Sequence, residues 1–292
     1  MKASTRGYLY ALIATFCGSL VYLFSKAALN MVSLPQFGFY WFSTAIVFNS
    51  LMAAHPKGGF TPRSFVKADY LTLLYLGLIE IVATTTFYWA IAVSPNPSVP
   101  SFLRNLEYLF VTVLGIWLLS ERFGRYARPG AILTIAGAFI LSSVNTPLHA
   151  LLTGASGLML VSTSFYAART IIAKKHIRDI RPVTLALNRA VFLFAFAALF
   201  MLITGDSPVI PVQALVLIAC GSFVGPFLTS IFQYSALRYI DASKAAIVQS
   251  STGLFVLPGA YLMFGNFPQP LQILGGIFTI AGVLLLMLGR QK

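Results

Sequence analysis

The chain has 292 residues, of which 58% are apolar and 9% charged, and its mean hydropathy is +0.83. Soluble domains carry about 25% charged residues, so this composition excludes a soluble enzyme or binding module and specifies an integral membrane protein. The net charge of +13 would suggest nucleic acid in a soluble chain, but here the placement of the basic residues accounts for it, and no nucleic-acid partner is expected.

A bilayer core of about 30 Å takes about 20 mostly apolar residues per helix. Hydropathy divides the chain into ten such stretches, so an all-α protein with ten transmembrane helices is expected. The first five cover residues 7–29, 34–54, 71–93, 97–120 and 127–144. The second five cover 154–173, 182–204, 212–237, 243–265 and 270–289. The first is too long for a signal-peptide core and another span follows almost at once, so it reads as a retained helix. No connection is long enough to bury a core of its own, which places any function in the membrane. Cys17 and Cys220 lie inside stretches and are expected to pack as small apolar residues.

Threading the stretches with the N-terminus inside puts 16 of the 20 Lys and Arg residues on one side, from Lys2 and Arg6 to Arg290 and Lys292. The opposite loops, near 30–34, 94–97, 145–153, 205–211 and 266–270, hold no Lys or Arg and one acid, Asp206. The positive-inside rule then places both termini in the cytoplasm and the chain in the cell (inner) membrane.

Residues 84–142, laid on 229–287 without a gap, share 13 identities at a constant offset of 145. Leu109-Phe110-Val111 falls on Leu254-Phe255-Val256, and Thr134-Ile135-Ala136-Gly137 on Thr279-Ile280-Ala281-Gly282. The chain therefore reads as two repeats, 1–146 and 147–292, each with five stretches. An odd number makes the second repeat insert upside down relative to the first. Inverted repeats let a midplane site open to each side in turn and are a recurrent construction of secondary transporters.

Six ionisable side chains fall inside stretches: Lys26, Glu80, Arg104, Glu107, Arg169 and Arg189. Each costs about 2.5 to 3.5 kcal/mol at a helix centre and is a functional candidate until a partner explains it. Arg104 and Glu107 are three apart on one helix, which fits either mutual neutralisation or substrate contact. Their counterparts at the repeat offset are Gln249 and Thr252, polar and uncharged. Glu80 has no basic residue three or four positions away, so it is expected either to couple transport to protons or to pair with an arginine from another helix. Glu107 is the second proton-coupling candidate. Arg169, Arg189 and Lys26 are placed near span ends, where long side chains snorkel, and the arginines are assigned structural or gating roles. Four cations against two carboxylates leave the interior net positive, which favours a substrate with a carboxylate or phosphate.

Among the aromatics, Tyr22, Phe87, Tyr88, Trp89, Tyr108, Phe165, Tyr166 and Tyr234 are candidates to line a pathway. Gly130, Gly137, Gly275 and Gly282 repeat at seven residues and are expected to permit close helix packing. Pro226 and Pro258 are expected to free carbonyls and provide bending points. His55, His149 and His176 fall in loops without metal-ligand spacing, and no nucleophile triad, metal cluster or nucleotide-binding glycine loop is present. No enzyme activity, metal or cofactor is expected, and transport is expected to be secondary.

The ends of the two repeats carry a further pattern. The first reads Leu119-Ser120-Glu121-Arg122 and then Gly130 to Gly137, and the second Phe264-Gly265-Asn266 and then Gly275 to Gly282. With the duplication, this resembles the ten-helix EamA-type branch of the drug/metabolite transporter superfamily over essentially the full length. Asn266 stands where the family pattern has an acid, and the proline usual near the middle of the fourth helix is absent at Glu107-Tyr108. The resemblance implies metabolite transport through a central cavity bounded by the first, third, fourth, sixth, eighth and ninth helices. The expected cavity set is Glu80, Tyr88, Trp89, Arg104, Glu107, Tyr108, Tyr166, Tyr234, Gln249 and Thr252. Export of an amino acid or related metabolite is the first expectation, and uptake of a vitamin or another anionic metabolite the second. A channel or membrane-embedded enzyme ranks below both, and the transporter is expected to act as a monomer or homodimer.

Overall fold

The computed structural model describes residues 3–54, 67–119, 126–143, 154–176, 180–240, 245, 248–265 and 267–288. His55, His149, Glu121 and Asn266 lie outside the described residues. Within them the chain is helical, and no strand occurs among them. Helices α1 (Ala3–Leu29), α2 (Leu34–Ala54) and α3 (Lys67–Val93) come first. The fourth stretch forms two helices, α4 (Ser98–Leu103) and α5 (Leu106–Leu119), and α6 (Ala127–Ser143) follows. The second half holds α7 (Ala155–His176), α8 (Pro182–Thr204) and α9 (Val212–Ser222). A π-helical segment (Phe223–Thr229) joins α9 to α10 (Ser230–Tyr239). The last helices are α11 (Thr252–Phe264) and α12 (Pro270–Leu288).

Five spans among the described residues are long and apolar enough to cross a membrane: Thr5–Leu29, Leu34–Ala54, Asp69–Val93, Pro182–Thr204 and Val212–Tyr239. Arg128–Ile140, Thr252–Phe264 and Pro270–Leu285 are shorter apolar helices. The interruption of the fourth stretch has a local cause. Around Arg104 and Asn105 the amide bonds tighten to three residues back, with Asn105 donating to the Phe102 carbonyl at 3.0 Å and Tyr108 to the Asn105 carbonyl at 3.1 Å. Before α11 the same tightening recurs, with Ser251 N–H donating to the Val248 carbonyl at 3.2 Å. Asn105 Nδ2 also donates to Thr279 Oγ1 at 3.1 Å, tying the first break to α12.

In the π segment, Pro226 has no N–H to give, and the Thr229 hydroxyl donates to the Val224 carbonyl five residues back at 2.6 Å. Pro258 sits inside an uninterrupted α11 with its side chain exposed. Helices α8 and α11 each end on a glycine in the left-handed region, Gly205 at φ 70° and Gly265 at φ 67°.

Packing pairs α2 with α8, α3 with α7, α6 with α12, and α1 with the α9–π–α10 unit. The α6–α12 crossing is close because glycines meet backbone: a Cβ on Gly137 would stand 2.6 Å from the Gly275 carbonyl oxygen and 2.6 Å from the Thr279 amide nitrogen. On the other helix, a Cβ on Gly282 would stand 2.8 Å from the Gly130 carbonyl oxygen.

Two lysines close helix ends across the bundle. Lys26 in α1 does not snorkel to the interface: it is buried, and its Nζ donates to the Ala92 carbonyl at the end of α3 at 2.8 Å. Lys174 in α7 donates to the Leu237 and Ile240 carbonyls at the end of α10 at 3.0 and 3.3 Å. Leu237 stands 145 residues after Ala92, the offset of the sequence repeat. A cation on orphan C-terminal carbonyls satisfies them and complements the helix dipole. Lys26→Met is expected to cost about 1.5 to 3 kcal/mol, the range for a hydrogen bond to a charged group, and Lys174→Met a comparable amount. Thermal unfolding in detergent checks both.

Candidate functional site

Five of the six ionisable residues found in apolar stretches, all but Lys26, form one chain of alternating charge. Arg104 Nε, at the break between α4 and α5, donates to Glu107 Oε2 at 2.9 Å. Glu107 Oε1 is 3.7 Å from Arg169 Nη2 in α7, and it also accepts from Thr170 Oγ1 at 3.0 Å. Arg169 Nη1 donates to Glu80 Oε1 in α3 at 3.2 Å. Glu80 Oε2 lies 3.1 Å from Arg189 Nε in α8 and accepts from Thr84 Oγ1 at 2.8 Å. The order is therefore Arg104, Glu107, Arg169, Glu80, Arg189, with a cation at each end.

Burial grades along this chain. The side chains of Arg169 and Glu80 are each 2% exposed and that of Glu107 is 4%, whereas Arg189 is 12% and Arg104 20% exposed. Arg169 and Arg189 do not snorkel as the sequence suggested: a carboxylate within reach inside the bundle holds each of them more favourably than extension to an interface. Glu80 pairs with arginines from two other helices, the structural alternative to proton coupling. Four of the expected site residues, Arg104, Glu107, Arg169 and Arg189, thus meet Glu80 in one network.

Tyr166 is the hub of that network's aromatic surroundings. Its ring lies 4.0 Å from Arg104 Cζ, 4.7 Å from Arg169 Cζ and 6.0 Å from Arg189 Cζ, within cation–π range of all three. Its hydroxyl is 2.9 Å from Thr84 Oγ1 and accepts from Arg189 Nη2 at 3.3 Å. Arg189 Nη1 donates to Ser230 Oγ at 3.2 Å, which holds the guanidinium against α10. Phe87 packs on Tyr22 at 5.2 Å and Arg104 Cζ lies 5.1 Å over its ring.

A cavity of about 80 Å³ opens at this place, with walls from α1, α3, the α4–α5 break, α7, α8, the π segment, α10 and the start of α11. Arg104 and Arg189 line it, and no carboxylate does among the described residues. Tyr22, Phe87, Tyr88, Tyr108 and Tyr166 form its aromatic wall. Gln233, Gln249 and Thr252 supply uncharged polar groups, with Gln233 Nε2 donating to Gln249 Oε1 at 3.2 Å. Thr252 Oγ1 donates to the Gln249 carbonyl at 2.6 Å, the self-bonding common for threonine in helices. Glu107 faces a smaller cavity beyond Tyr108.

Several expected positions lie elsewhere. Trp89 is 51% exposed and Phe165 38%, so both look outward from the bundle and neither belongs to the cavity wall. Helical rotation turns the residue next to Tyr88 by about 100° around α3, away from the cavity. Tyr234 is buried behind the wall, with its ring 6.0 Å from Arg169 Cζ. Gly130, Gly137, Gly275 and Gly282 belong to the α6–α12 crossing, away from the cavity. Sequence reasoning did not pick out Thr84, Ser230 or Gln233, and a hydroxyl or amide in an apolar stretch was the signal available for them.

The EamA-like transporter family's sequence profile matches twice, over residues 5–143 and 154–288. The chain belongs to the EamA-like transporter family. A protein of Methanothermobacter thermautotrophicus described as an uncharacterized transporter is 24% identical to this EamA-like chain over 299 residues, covering 96% of this chain and 85% of the relative. A crystal structure of a protein with 13% sequence identity superposes with a TM-score of 0.67, covering 97% of this chain and 95% of the other, which shows a shared fold. The EamA-like chain is thus a multi-pass membrane transporter, and the family description and that of the relative name a transporter and no enzyme.

Proposed function

We infer that this chain is a secondary transporter that carries a small polar or amphipathic metabolite across the cytoplasmic membrane by alternating access. Its ten transmembrane helices form two inverted five-helix repeats, residues 1–146 and 147–292, with both termini in the cytoplasm. The observation that carries the reading is the cavity, whose walls come from both halves and include both helix breaks. Discontinuous helices at a midplane site between inverted repeats are a transporter construction. The helix pairing supports the two-repeat organisation, because exchanging the halves maps α2–α8 and α6–α12 onto themselves and α3–α7 onto the contact of the α9–π–α10 unit with α1.

Export of an amino acid or related metabolite is one assignment of cargo and direction. Uptake of a vitamin or another anionic metabolite is the second, and the two arginines on a wall that holds no carboxylate among the described residues favour it.

The reading predicts that Thr252, on the cavity wall, is reached from both sides of the membrane. In a background with Cys17 and Cys220 replaced by alanine, Thr252→Cys should react with a membrane-impermeant maleimide added to either face of oriented vesicles. Reaction from one face alone, under all conditions, would contradict alternating access.

A further inference from the structure

We propose that the central cavity takes an amphipathic organic anion, whose carboxylate or phosphate group bridges Arg104 and Arg189. The proposal rests on the transporter reading and names the substrate class of its site. Three guanidiniums and two carboxylates leave the buried chain with one positive charge in excess. An uncompensated charge away from water is costly, and the cheapest remedy is an opposite charge in contact with it.

The geometry says where that charge goes. The interior members of the chain, Glu107, Arg169 and Glu80, are consumed by one another and do not line the cavity, whereas both cationic ends do. Arg104 gives Nε to Glu107 and lies over the Tyr166 ring where it lines the cavity. Arg189 is held by Glu80, Ser230, Thr84 and Tyr166 and supports the same space from α8. An anionic group placed between these ends closes the alternating chain into a ring.

A second observation points the same way. The wall offers no carboxylate for an ammonium among the described residues, which favours an anion over a zwitterion. Its five aromatic residues suit a planar or apolar body attached to the anionic group.

The test uses the purified full chain in detergent and four probes that share a phenyl body: benzoate, phenyl phosphate, benzamide and benzylamine. Melting temperature is followed against concentration at constant ionic strength, since a ligand of the folded state raises it by mass action. Benzoate, phenyl phosphate or both should stabilise at least about tenfold more potently than the amide and amine, the ratio expected for a charge-assisted contact. The comparison of the two anions distinguishes a carboxylate site from a phosphate site. Arg104→Gln should remove this preference, and Arg104→Lys should retain it, so failure of the glutamine variant to fold leaves the lysine variant and the native chain as readouts. A response to both anions no greater than that to benzamide, or an anion preference unchanged in Arg104→Gln, overturns the proposal. Flux of a neutral or cationic solute without anion binding would overturn the substrate class and leave the transporter reading intact.

Discussion

Glu80→Gln is expected to cost about 3 to 5 kcal/mol of folding stability, the range for removing one partner from a buried ion pair. The side chain it removes is 2% exposed and lies 3.2 Å from Arg169 and 3.1 Å from Arg189. Its loss raises the excess buried charge from one to two and leaves Glu107, 3.7 Å from Arg169, as the remaining carboxylate of the network. The sign of the excess makes the network asymmetric. Arg104→Gln brings three cations to two and balances the two carboxylates, so it should cost less than about 1 kcal/mol, close to a surface ion pair. Adding Arg189→Gln to Glu80→Gln should recover part of the loss, and a double-mutant cycle on detergent-solubilised protein measures the coupling. A Glu80→Gln protein as stable as the native chain, or one less affected than Arg104→Gln, would contradict the charge arrangement.

The second large effect is steric. Gly137→Val and Gly282→Val should each destabilise the chain by about 3 kcal/mol, at or beyond the upper end of the usual overpacking range. The atoms that a new Cβ would meet are backbone: the Gly275 carbonyl oxygen and Thr279 amide nitrogen at 2.6 Å from position 137, and the Gly130 carbonyl oxygen at 2.8 Å from position 282. A flexible side chain can swing aside, but two helix backbones must separate, and the Asn105–Thr279 hydrogen bond that anchors the first helix break to α12 separates with them. Ile135→Ala, on a 54% exposed position of the same α6, should change stability far less. Thermal unfolding of the three variants side by side reads the difference.

Much of this was legible in the sequence for identifiable physical reasons. Apolar stretches of membrane length, the glycines that repeat at seven residues and the offset of 145 are patterns within or between segments, and sequence displays such patterns directly. The partners of Glu80 were not legible, because Arg169 is 89 residues away in the chain and nothing local marks the contact. Nor was the outward aim of Trp89. In lipid, both faces of a helix are apolar, so periodicity does not separate wall from exterior as it does in water. The break at Arg104 and Asn105 was hidden inside one apolar stretch, with the run of Pro95, Pro97 and Pro100 just before it as the local clue. The π segment at Pro226 had the proline itself as its clue, whereas the comparable Pro258 leaves α11 unbroken.

Lys26 and Lys174 show a finer case. As a cation near a span end Lys26 reads as a snorkelling residue, yet it and Lys174 each reach a carbonyl at the end of a neighbouring helix. The receptor carbonyls keep the repeat offset even though the two lysines themselves do not. Symmetry at that level belongs to the packed structure, and a residue-by-residue alignment shows it only in part.

Counterflow in proteoliposomes tests the central claim most directly. Vesicles containing the protein are preloaded with an excess of the organic anion that stabilises it best, and the same compound is added outside in labelled, trace amounts. The account predicts that label accumulates transiently above equilibrium, saturates with outside concentration and falls in Arg104→Gln, since a cavity that opens to one side at a time exchanges one molecule for another. Label that only equilibrates, at a rate proportional to concentration without saturation, would mean a channel and would contradict the account.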